Sequence, residues 1–258
     1  MTKATFGVLA PISQTLSTPL NQVPVLEFKS HNATTITTGG VCDVLNCPST
    51  THTLTQSLAI IEFLDDLYPT GMAHDQQSLL PKDPLLRARV RQISDIVASG
   101  IQPLQAINIL RLVEKVDIKG VVGNGVSFAK WKTEEGLDAL EALLSEIHTE
   151  TLLKKEFESK NKIQSQNQNQ NIESDVLKEA NILLNSSFSS TLFAAGTTYP
   201  TLADLCIIPQ IYNARCRLHI PVNNTTHPRL TAVCTLCESL NAFKIAAPDC
   251  QPDAVAVL

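Results

Sequence analysis

The spacing of apolar residues changes along the chain and divides it into a part with strands and a part with helices. The string QVPVLEF, residues 22–28, combines β-branched and aromatic residues in a short apolar run that is typical of a buried strand. Pro24 belongs at the head of such a strand because proline cannot donate a hydrogen bond to a sheet. Residues 29–50 are rich in Thr, Asn, Gly and Ser and predict a long loop or hairpin, with Thr51 to Leu54 as the returning strand.

From residue 57 onward the apolar spacing becomes helical. Ser57 is a candidate N-cap for the first helix, and Pro69 is expected to end it. The apolar face of this helix carries residues three or four positions apart, namely Leu58, Ile61, Leu64 and Tyr68. The opposite face, predicted to be polar, carries Glu62, Asp65 and Asp66.

Residues 69–83 contain Gly, two prolines and polar residues, and they predict a linker between two domains. Residues 84–258 are predicted to form an all-helical domain. Its first long helix should begin at Asp83 as N-cap, with a proline at the first helical position. We expect a kink or break where Gly100 and Pro103 interrupt the helical pattern.

Three further segments of the helical domain have distinct patterns. Residues 130–147 predict an amphipathic helix, whereas residues 154–180 include the polar tract IQSQNQNQN, which favours a disordered or loosely helical insertion. Thr201 and Asp204 have the spacing of a capping box, so a helix should follow over residues 201–218. This helix is predicted to be central to the core because it is apolar nearly all round, at Leu205, Ile207, Ile208 and Ile211.

Composition limits the function classes. The chain of 258 residues has a formal charge of −5 and a pI near 5.7, which does not indicate a nucleic-acid partner. No apolar run approaches the roughly 18 residues of a transmembrane helix, and the N-terminus is a poor match to a signal peptide, so a cytoplasmic protein is expected. The seven scattered cysteines do not predict a disulfide framework. Cys234 and Cys237 are interpreted as buried or half-buried thiols on a helix rather than as a metal or redox pair.

Five strings occur in an informative order: QVPVLEF, QSLAIIEFLDDLYP, SDIVASGIQPLQ, PTLADLCIIPQIYNAR and LNAFKIAAPDCQPD. With them, most of residues 21–252 resembles the zeta class of glutathione transferases, the class of maleylacetoacetate isomerase. The resemblance implies an α+β fold, in which a partial thioredoxin-like N-terminal domain, residues 1–68, precedes an all-α glutathione-transferase C-terminal helical bundle. It also implies glutathione as the cofactor and a homodimer as the assembly, with neither nucleic acid nor membrane as a partner.

The resemblance further implies a reaction. In this family the glutathione thiolate adds beside the cis double bond of maleylacetoacetate, the new single bond rotates, and elimination releases fumarylacetoacetate. Glutathione is regenerated and therefore acts as a cofactor. The covalent addition divides one difficult step into two easier ones. The expected function is therefore this cis–trans isomerisation, a step of phenylalanine and tyrosine breakdown, with possible glutathione transferase activity.

Family analogy assigns glutathione contacts at the N-terminal side. Pro24 would be a cis proline, and the backbone of Val23 would bind the cysteinyl part of glutathione. Gln56 and Ser57 would hold the γ-glutamyl group, which agrees with the preference of helix N-termini for carboxylates. The alternative for Gln56 and Ser57 is a simple helix cap.

Three more glutathione contacts are implied in the helical domain. Gln102 and Gln105 flank the expected break and would line the cleft, and Asp95 would reach the glutathione of the other subunit. The alternative for all three is that they are polar residues on a solvated helix face.

The substrate side departs from the family pattern. The family carries an arginine three residues after the asparagine of its NAxR motif, and such an arginine can pair with a substrate carboxylate. Here that position is Cys216, between Arg215 and Arg217, which become the candidate substrate-binding residues. Each neighbour points about 100° away along a helix, so neither replaces the family arginine automatically. Cys216 is interpreted as a packed thiol rather than as a nucleophile.

The catalytic residues of this chain are unknown from the sequence, because the family's Ser-Ser-Cys motif is absent. A βαβ unit needs about 30 residues and only 21 precede Gln22, so we expect a rearranged N-terminus, a truncated product or an incorrect gene model. Ser13 and Ser17 are poor substitutes for the motif. Two alternatives to the isomerase stay open: a catalytically impaired binding or dimerisation protein, and a transferase for a different electrophile.

Overall fold

The computed structural model describes residues 25–29, 51–68, 77–118, 121–122, 124–164 and 191–251. The described residues fall into two compact units. Those up to Leu79 form the first unit, and those from Leu80 onward form the second. This boundary falls within residues 69–83, the segment predicted to be a linker.

The first unit contains a β-hairpin and one helix. Strand β1, Val25–Lys29, pairs antiparallel with strand β2, Thr51–Thr55, in a register that places Leu26 opposite Leu54. Helix α1, Ser57–Leu67, follows directly. Both predicted strands are confirmed, although β1 begins after Pro24, and residues 30–50 lie outside the described part of the chain.

The start of α1 differs from the prediction. Ser57 is the first helical residue, and the N-cap position is taken by Gln56, with φ 76° and ψ 119°. No side chain caps the helix there, so the prediction of Ser57 as N-cap is wrong by one position. The helix ends at Leu67, ahead of Pro69, as predicted.

Asp65 was predicted on the polar face of α1, but its side chain is buried. Its carboxylate accepts a hydrogen bond from Ser78 Oγ at 2.6 Å and another from the Leu79 backbone N–H at 3.1 Å. These donors satisfy a carboxylate that would otherwise be costly to bury. Asp65 therefore ties the helix to the last residues of the first unit.

The second unit begins with a long, interrupted helix, as predicted. Helix α2, Pro84–Asp95, starts with the Asp83 carboxylate accepting from the Leu86 N–H at 2.8 Å. A π-helical turn, Ile96–Ile101, and a 3-10 turn, Gln102–Gln105, then lead into helix α3, Ile107–Lys115. The change from α-helix to these two turns confirms the predicted break at Gly100 and Pro103. A further bend of 51° lies at Ala106, between residues 84–105 and α3.

The next elements correct two predictions. Strands β3, Asp117–Ile118, and β4, Val121–Val122, have two residues each and pair antiparallel. They lie inside the part predicted to be all helical. Helix α4, Gly125–Gln164, has 40 residues and is much longer than the predicted 130–147. It runs into the segment 154–180, so the first part of that insertion is helical, and residues 165–190 lie outside the described residues.

Two glycines let α4 lie close to the segments before it. A Cβ at Gly125 would lie 2.7 Å from the Leu110 carbonyl oxygen of α3. A Cβ at Gly136 would overlap the side chain of Ile101 in the π turn. The later glycine, Gly136, contacts the earlier residue, Ile101. Helix α4 therefore runs antiparallel to the path of the π turn and α3.

Helix α5, Leu202–Cys216, begins with the predicted capping box. The Thr201 N–H donates to Asp204 Oδ2 at 2.8 Å, and the Asp204 side chain also accepts from the Ala194 N–H at 2.9 Å. Ile207 and Ile211 are buried, which supports the predicted central position of this helix, although Leu205 and Ile208 are only half-buried.

Two short helices complete the described chain. They are α6, Pro228–Ser239, and α7, Asn241–Ala246, followed by a 3-10 turn, Pro248–Cys250. Cys234 and Cys237 are buried in α6, which confirms their prediction as buried thiols, and desolvation raises the pKa of both. The described residues contain no cluster of His, Cys, Asp and Glu that could hold a metal ion.

The core of the second unit is built from α2, the π turn, α4, α5 and α6. Its fully buried apolar side chains include Val90, Ile93, Val97, Ile101, Leu137, Leu140, Leu144, Ile207, Leu230 and Val233. In the described part of the chain no single helix has the length and apolarity to cross a membrane, and only the bent pair of residues 84–105 and α3 passes that test when combined.

A buried histidine and a buried aspartate contact the same short loop, residues 192–197. His148 Nε2 of α4 lies 2.9 Å from the Phe193 carbonyl oxygen, so this nitrogen carries the hydrogen and donates it. Burial lowers the pKa of His148 to about 4. It raises the pKa of Asp204 to about 6, although the hydrogen bonds that this carboxylate accepts oppose the rise.

We expect D204N to destabilise the fold by about 2 kcal/mol, because the new amide N–H group must face a buried N–H or hydroxyl donor. The matched control is D83N, since asparagine caps an exposed helix as well as aspartate does and little change is expected there. Urea unfolding of both variants measures the difference. Equal stability of D204N and D83N would contradict the role given to the capping box.

The two buried groups predict opposing pH dependences. Because the folded-state pKa of His148 is depressed, its contribution to stability is lost as pH falls from about 6.5 towards about 4. Because the folded-state pKa of Asp204 is raised, its contribution is present at low pH and is lost as pH rises from about 4 to about 6.

Replacing the histidine should expose the second effect. As the pH falls from 7 to 5, the free energy of unfolding of H148Q should rise by about 1–2 kcal/mol relative to that of the wild type. D204N should show a relative change of the opposite sign. Urea unfolding at the two pH values measures both, and parallel pH profiles for all three proteins would refute the assignment.

Candidate functional site

The predicted site residues of the first unit lie at the N-terminus of α1. Gln56 and Ser57 are both exposed, and the Gln56 backbone has a positive φ that is rare for a residue other than glycine. Such a conformation costs about 1–3 kcal/mol and is most often found at functional sites. Val23 and Pro24 lie outside the described residues, so their predicted roles stay predictions.

The helix end itself has the chemistry of an anion site. The first N–H groups of any helix have no partner within it, and no side chain at the N-cap of α1 accepts from them. The Ser57 hydroxyl adds a further donor at the same place. This end of α1 can therefore receive a carboxylate.

In the second unit, Gln102 and Gln105 lie on the same 3-10 turn but in different surroundings. Gln102 is exposed, whereas Gln105 is half-buried. Gln105 Nε2 donates to Thr133 Oγ1 of α4 at 2.6 Å, and Gln105 Oε1 accepts from Asn213 Nδ2 of α5. The alternative of a solvated helix face is therefore wrong for Gln105, whose amide joins two other helices.

Asp95 is the last residue of α2 and is exposed. Its carboxylate accepts from the Ser99 hydroxyl at 2.9 Å, one helical turn further on. This bond holds the carboxylate at the surface of the second unit, near the π turn.

The two candidate arginines differ in what their side chains do. Arg215 is half-buried, and its Nε and Nη2 donate to the Val222 carbonyl oxygen at 3.1 and 2.8 Å. Arg217, the C-cap of α5, is exposed. The guanidinium of Arg215 thus fixes the chain that follows α5, whereas Arg217 extends into solvent.

Cys216 is also exposed, so its interpretation as a packed thiol is wrong. It stands in the last turn of α5, where the helix reaches the surface. The negative charge of Asp249 is the main cause that raises the pKa of the nearby Tyr212, with Cys216 adding to the shift and Arg217 opposing it. Tyr212, Cys216, Arg217 and Asp249 therefore form one polar group of side chains at this end of α5.

Sequence reasoning did not find Thr133 or Gln210. Thr133 is fully buried in α4 and contacts Gln105 across 28 residues of sequence. Gln210 is buried in α5, and its Nε2 has no hydrogen-bond partner among the described residues. A polar residue inside an amphipathic helix pattern is the only signal that the sequence offers for either.

Comparison with known proteins identifies the family. No protein-family model matches the chain. A curated relative, the "Probable maleylacetoacetate isomerase" of Caenorhabditis elegans, is 33% identical over 200 residues, which cover 78% of this chain and 67% of the relative. This chain belongs to the maleylacetoacetate isomerase family. A second relative, the "Maleylpyruvate isomerase" of Ralstonia sp, is 31% identical over 200 residues, which cover 78% of the chain and 70% of the relative.

Solved structures of maleylacetoacetate isomerases agree. That of the Anaeromyxobacter dehalogenans enzyme, "with bound dicarboxyethyl glutathione and citrate in the active site", has 28% identity and a TM-score of 0.59 and covers 95% of this chain and 76% of that one. A maleylpyruvate isomerase described as a zeta-class glutathione transferase has 29% identity and a TM-score of 0.51, covering 79% of this chain and 72% of that one. The family is thus one of enzymes with the glutathione transferase fold. The chain spans 58% of one Drosophila melanogaster relative.

The two arginines of this family member can be separated by experiment. R215M should lower the free energy of unfolding by about 1 kcal/mol, because the Val222 carbonyl loses both donated hydrogen bonds. R217M is the matched control and should leave stability unchanged, since exposed side chains contribute little. Thermal unfolding of both variants measures this, and equal melting temperatures would show that the Arg215 bond has no structural role.

Proposed function

We propose that this chain binds glutathione and catalyses the glutathione-dependent cis–trans isomerisation of maleylacetoacetate to fumarylacetoacetate. The observation that carries the proposal is the 33% identity to a curated relative named for this activity. The product would enter the breakdown of phenylalanine and tyrosine. A homodimer and a cytoplasmic location are part of the same proposal, by analogy with the family.

The N-terminus of α1 fits a carboxylate of glutathione. The first-turn N–H groups and the Ser57 hydroxyl are donors, and the helix dipole favours negative charge at this end. The unusual backbone of Gln56 supports a binding role, because strain of this kind persists where a ligand position must be fixed. In the proposal, Gln56 and Ser57 hold the γ-glutamyl group, and the Val23 backbone ahead of Pro24 holds the cysteinyl part.

When bound, glutathione supplies a thiol nucleophile whose reversible addition to the substrate double bond allows that bond to rotate. The residues of the second unit have other tasks. Gln102 and Gln105 offer amide donors and acceptors to the ligand, and Asp95 offers a carboxylate towards the glutathione of a second subunit. Of the two arginines, Arg217 is the better partner for a substrate carboxylate, because Arg215 already binds the Val222 carbonyl.

A second candidate substrate is maleylpyruvate, since a relative with 31% identity is named for its isomerisation. Maleylpyruvate and maleylacetoacetate share a cis double bond beside a carbonyl group, so the same thiol chemistry serves both. A third possibility follows from the absent Ser-Ser-Cys string: glutathione binding without turnover. Assays with both substrates, with and without glutathione, separate the three.

We expect purified protein to isomerise maleylacetoacetate only when glutathione is present. S57A should weaken glutathione binding about tenfold, because a hydrogen bond to a charged group is lost. S127A is the matched control, since Ser127 is an exposed serine in the first turn of α4. Isothermal titration calorimetry measures the affinities and a spectrophotometric assay measures turnover.

The outcomes differ for each possibility. Glutathione binding without isomerisation of either substrate would favour the protein without turnover over the isomerase. Equal affinities of S57A, S127A and the wild type would remove the N-terminus of α1 from the binding site. Failure of the wild type to bind glutathione at all would overturn the proposed function.

A further inference from the structure

Three hydrogen-bonded side chains join the 3-10 turn to the two central helices of the second unit. Gln105 donates from Nε2 to Thr133 Oγ1 at 2.6 Å and accepts at Oε1 from Asn213 Nδ2. The sequence separations are 28 and 108 residues, so these bonds connect distant parts of the chain. We call the three side chains the amide clamp.

The donors and acceptors of the clamp follow one direction. The Thr133 hydroxyl donates to the Ala129 carbonyl oxygen at 2.7 Å, so its oxygen can receive the N–H of Gln105. That contact turns the other end of the Gln105 amide, its oxygen, towards Asn213. Each bond thereby fixes the direction of the next, and the amide of Gln105 has one orientation.

Burial decreases from Thr133 in the clamp towards the 3-10 turn. Thr133 is fully buried, Gln105 is half-buried, and Gln102 on the same 3-10 turn is exposed. A glutamine amide has two N–H donors and two acceptor lone pairs, and the clamp uses one of each. Among the described residues, one donor and one acceptor of Gln105 therefore have no partner, and the buried Thr133 sets the direction of the amide.

We infer that Thr133 and Asn213 are positioning residues that orient the Gln105 amide, and with it the 3-10 turn carrying Gln102, for recognition of a peptide group of glutathione. This inference rests on the proposed function. The Gln105 amide can donate from Nε2 to the carbonyl of a peptide group or accept at Oε1 from its N–H, and because these two peptide atoms point in opposite directions it makes one such bond to a given peptide group. Neither Thr133 nor Asn213 touches the ligand in this account; both act through Gln105.

The gain from the clamp is preorganisation. A free glutamine side chain has three rotatable bonds, and fixing them when a ligand binds costs conformational entropy. The clamp fixes them during folding, so less freedom is lost on binding. Loss of Thr133 or Asn213 should therefore lower the affinity for glutathione more than it lowers the stability of the fold.

The first test removes the buried anchor. T133V deletes the hydroxyl while keeping the shape, and it should raise the glutathione Kd about fivefold by releasing Gln105. T133S restores the hydroxyl and should restore the affinity. T149V is the matched control, because Thr149 donates to the Ser145 carbonyl on the same helix by the same i to i−4 bond. Calorimetry with glutathione as the titrant measures all four proteins.

The second test reverses the direction of the clamp. N213D replaces the donor that faces Gln105 Oε1 with an acceptor, so the Gln105 amide must turn over and its oxygen then faces Thr133. The Kd of N213D should rise about as much as that of T133V, and the double variant should lose less than the product of the two single losses. Such coupling would not arise if each residue only stabilised its own helix.

The effect should also appear in the kinetics. Relative to the wild type, T133V should have a higher KM for glutathione with little change in kcat, because the clamp acts on binding. Normal affinity in T133V and N213D, with a wild type that binds glutathione, would overturn this inference and leave the proposed function intact. Equal losses in T133V and T149V would overturn it too, and a wild type that does not bind glutathione would overturn both.

Discussion

The buried carboxylate of Asp204 is the interaction on which the helical unit depends. It accepts hydrogen bonds from the Thr201 N–H, the Thr201 hydroxyl and the Ala194 N–H, and it is fully buried. These bonds set where the central helix begins and hold the loop 192–197 against it. The same loop accepts a hydrogen bond from His148, so α4 and α5 are linked through a few polar atoms in an otherwise apolar core.

The polar groups of α5 fall into a structural set at its start and a candidate binding set towards its end. At the start of α5 the polar atoms satisfy one another, which suits a structural role. Towards its end, Asn213 reaches out to Gln105, Arg215 holds the following chain, and Arg217 and Cys216 are exposed. One helix thus anchors the core with its first turn and supplies the candidate binding groups with its last turns.

The sequence predicts local features well and long-range ones poorly. The strands, the breaks at Gly100 and Pro103 and the capping box at Thr201 depend on residues that lie within a few positions of each other. The burial of Asp65 depends on donors 13 and 14 residues away, and the Gln105 bonds span 28 and 108 residues. No periodicity encodes such pairings. The predicted contacts of Gln56 and Gln102 came from family resemblance, whereas the clamp around Gln105 required coordinates.

The proposed function depends most on glutathione recognition by the N-terminus of α1. Hydrogen–deuterium exchange with and without saturating glutathione tests this recognition most directly. We predict slower exchange of the amides in the first turn of α1, with those of α6 unchanged. Unchanged exchange in the first turn of α1 while glutathione is bound would contradict the proposal.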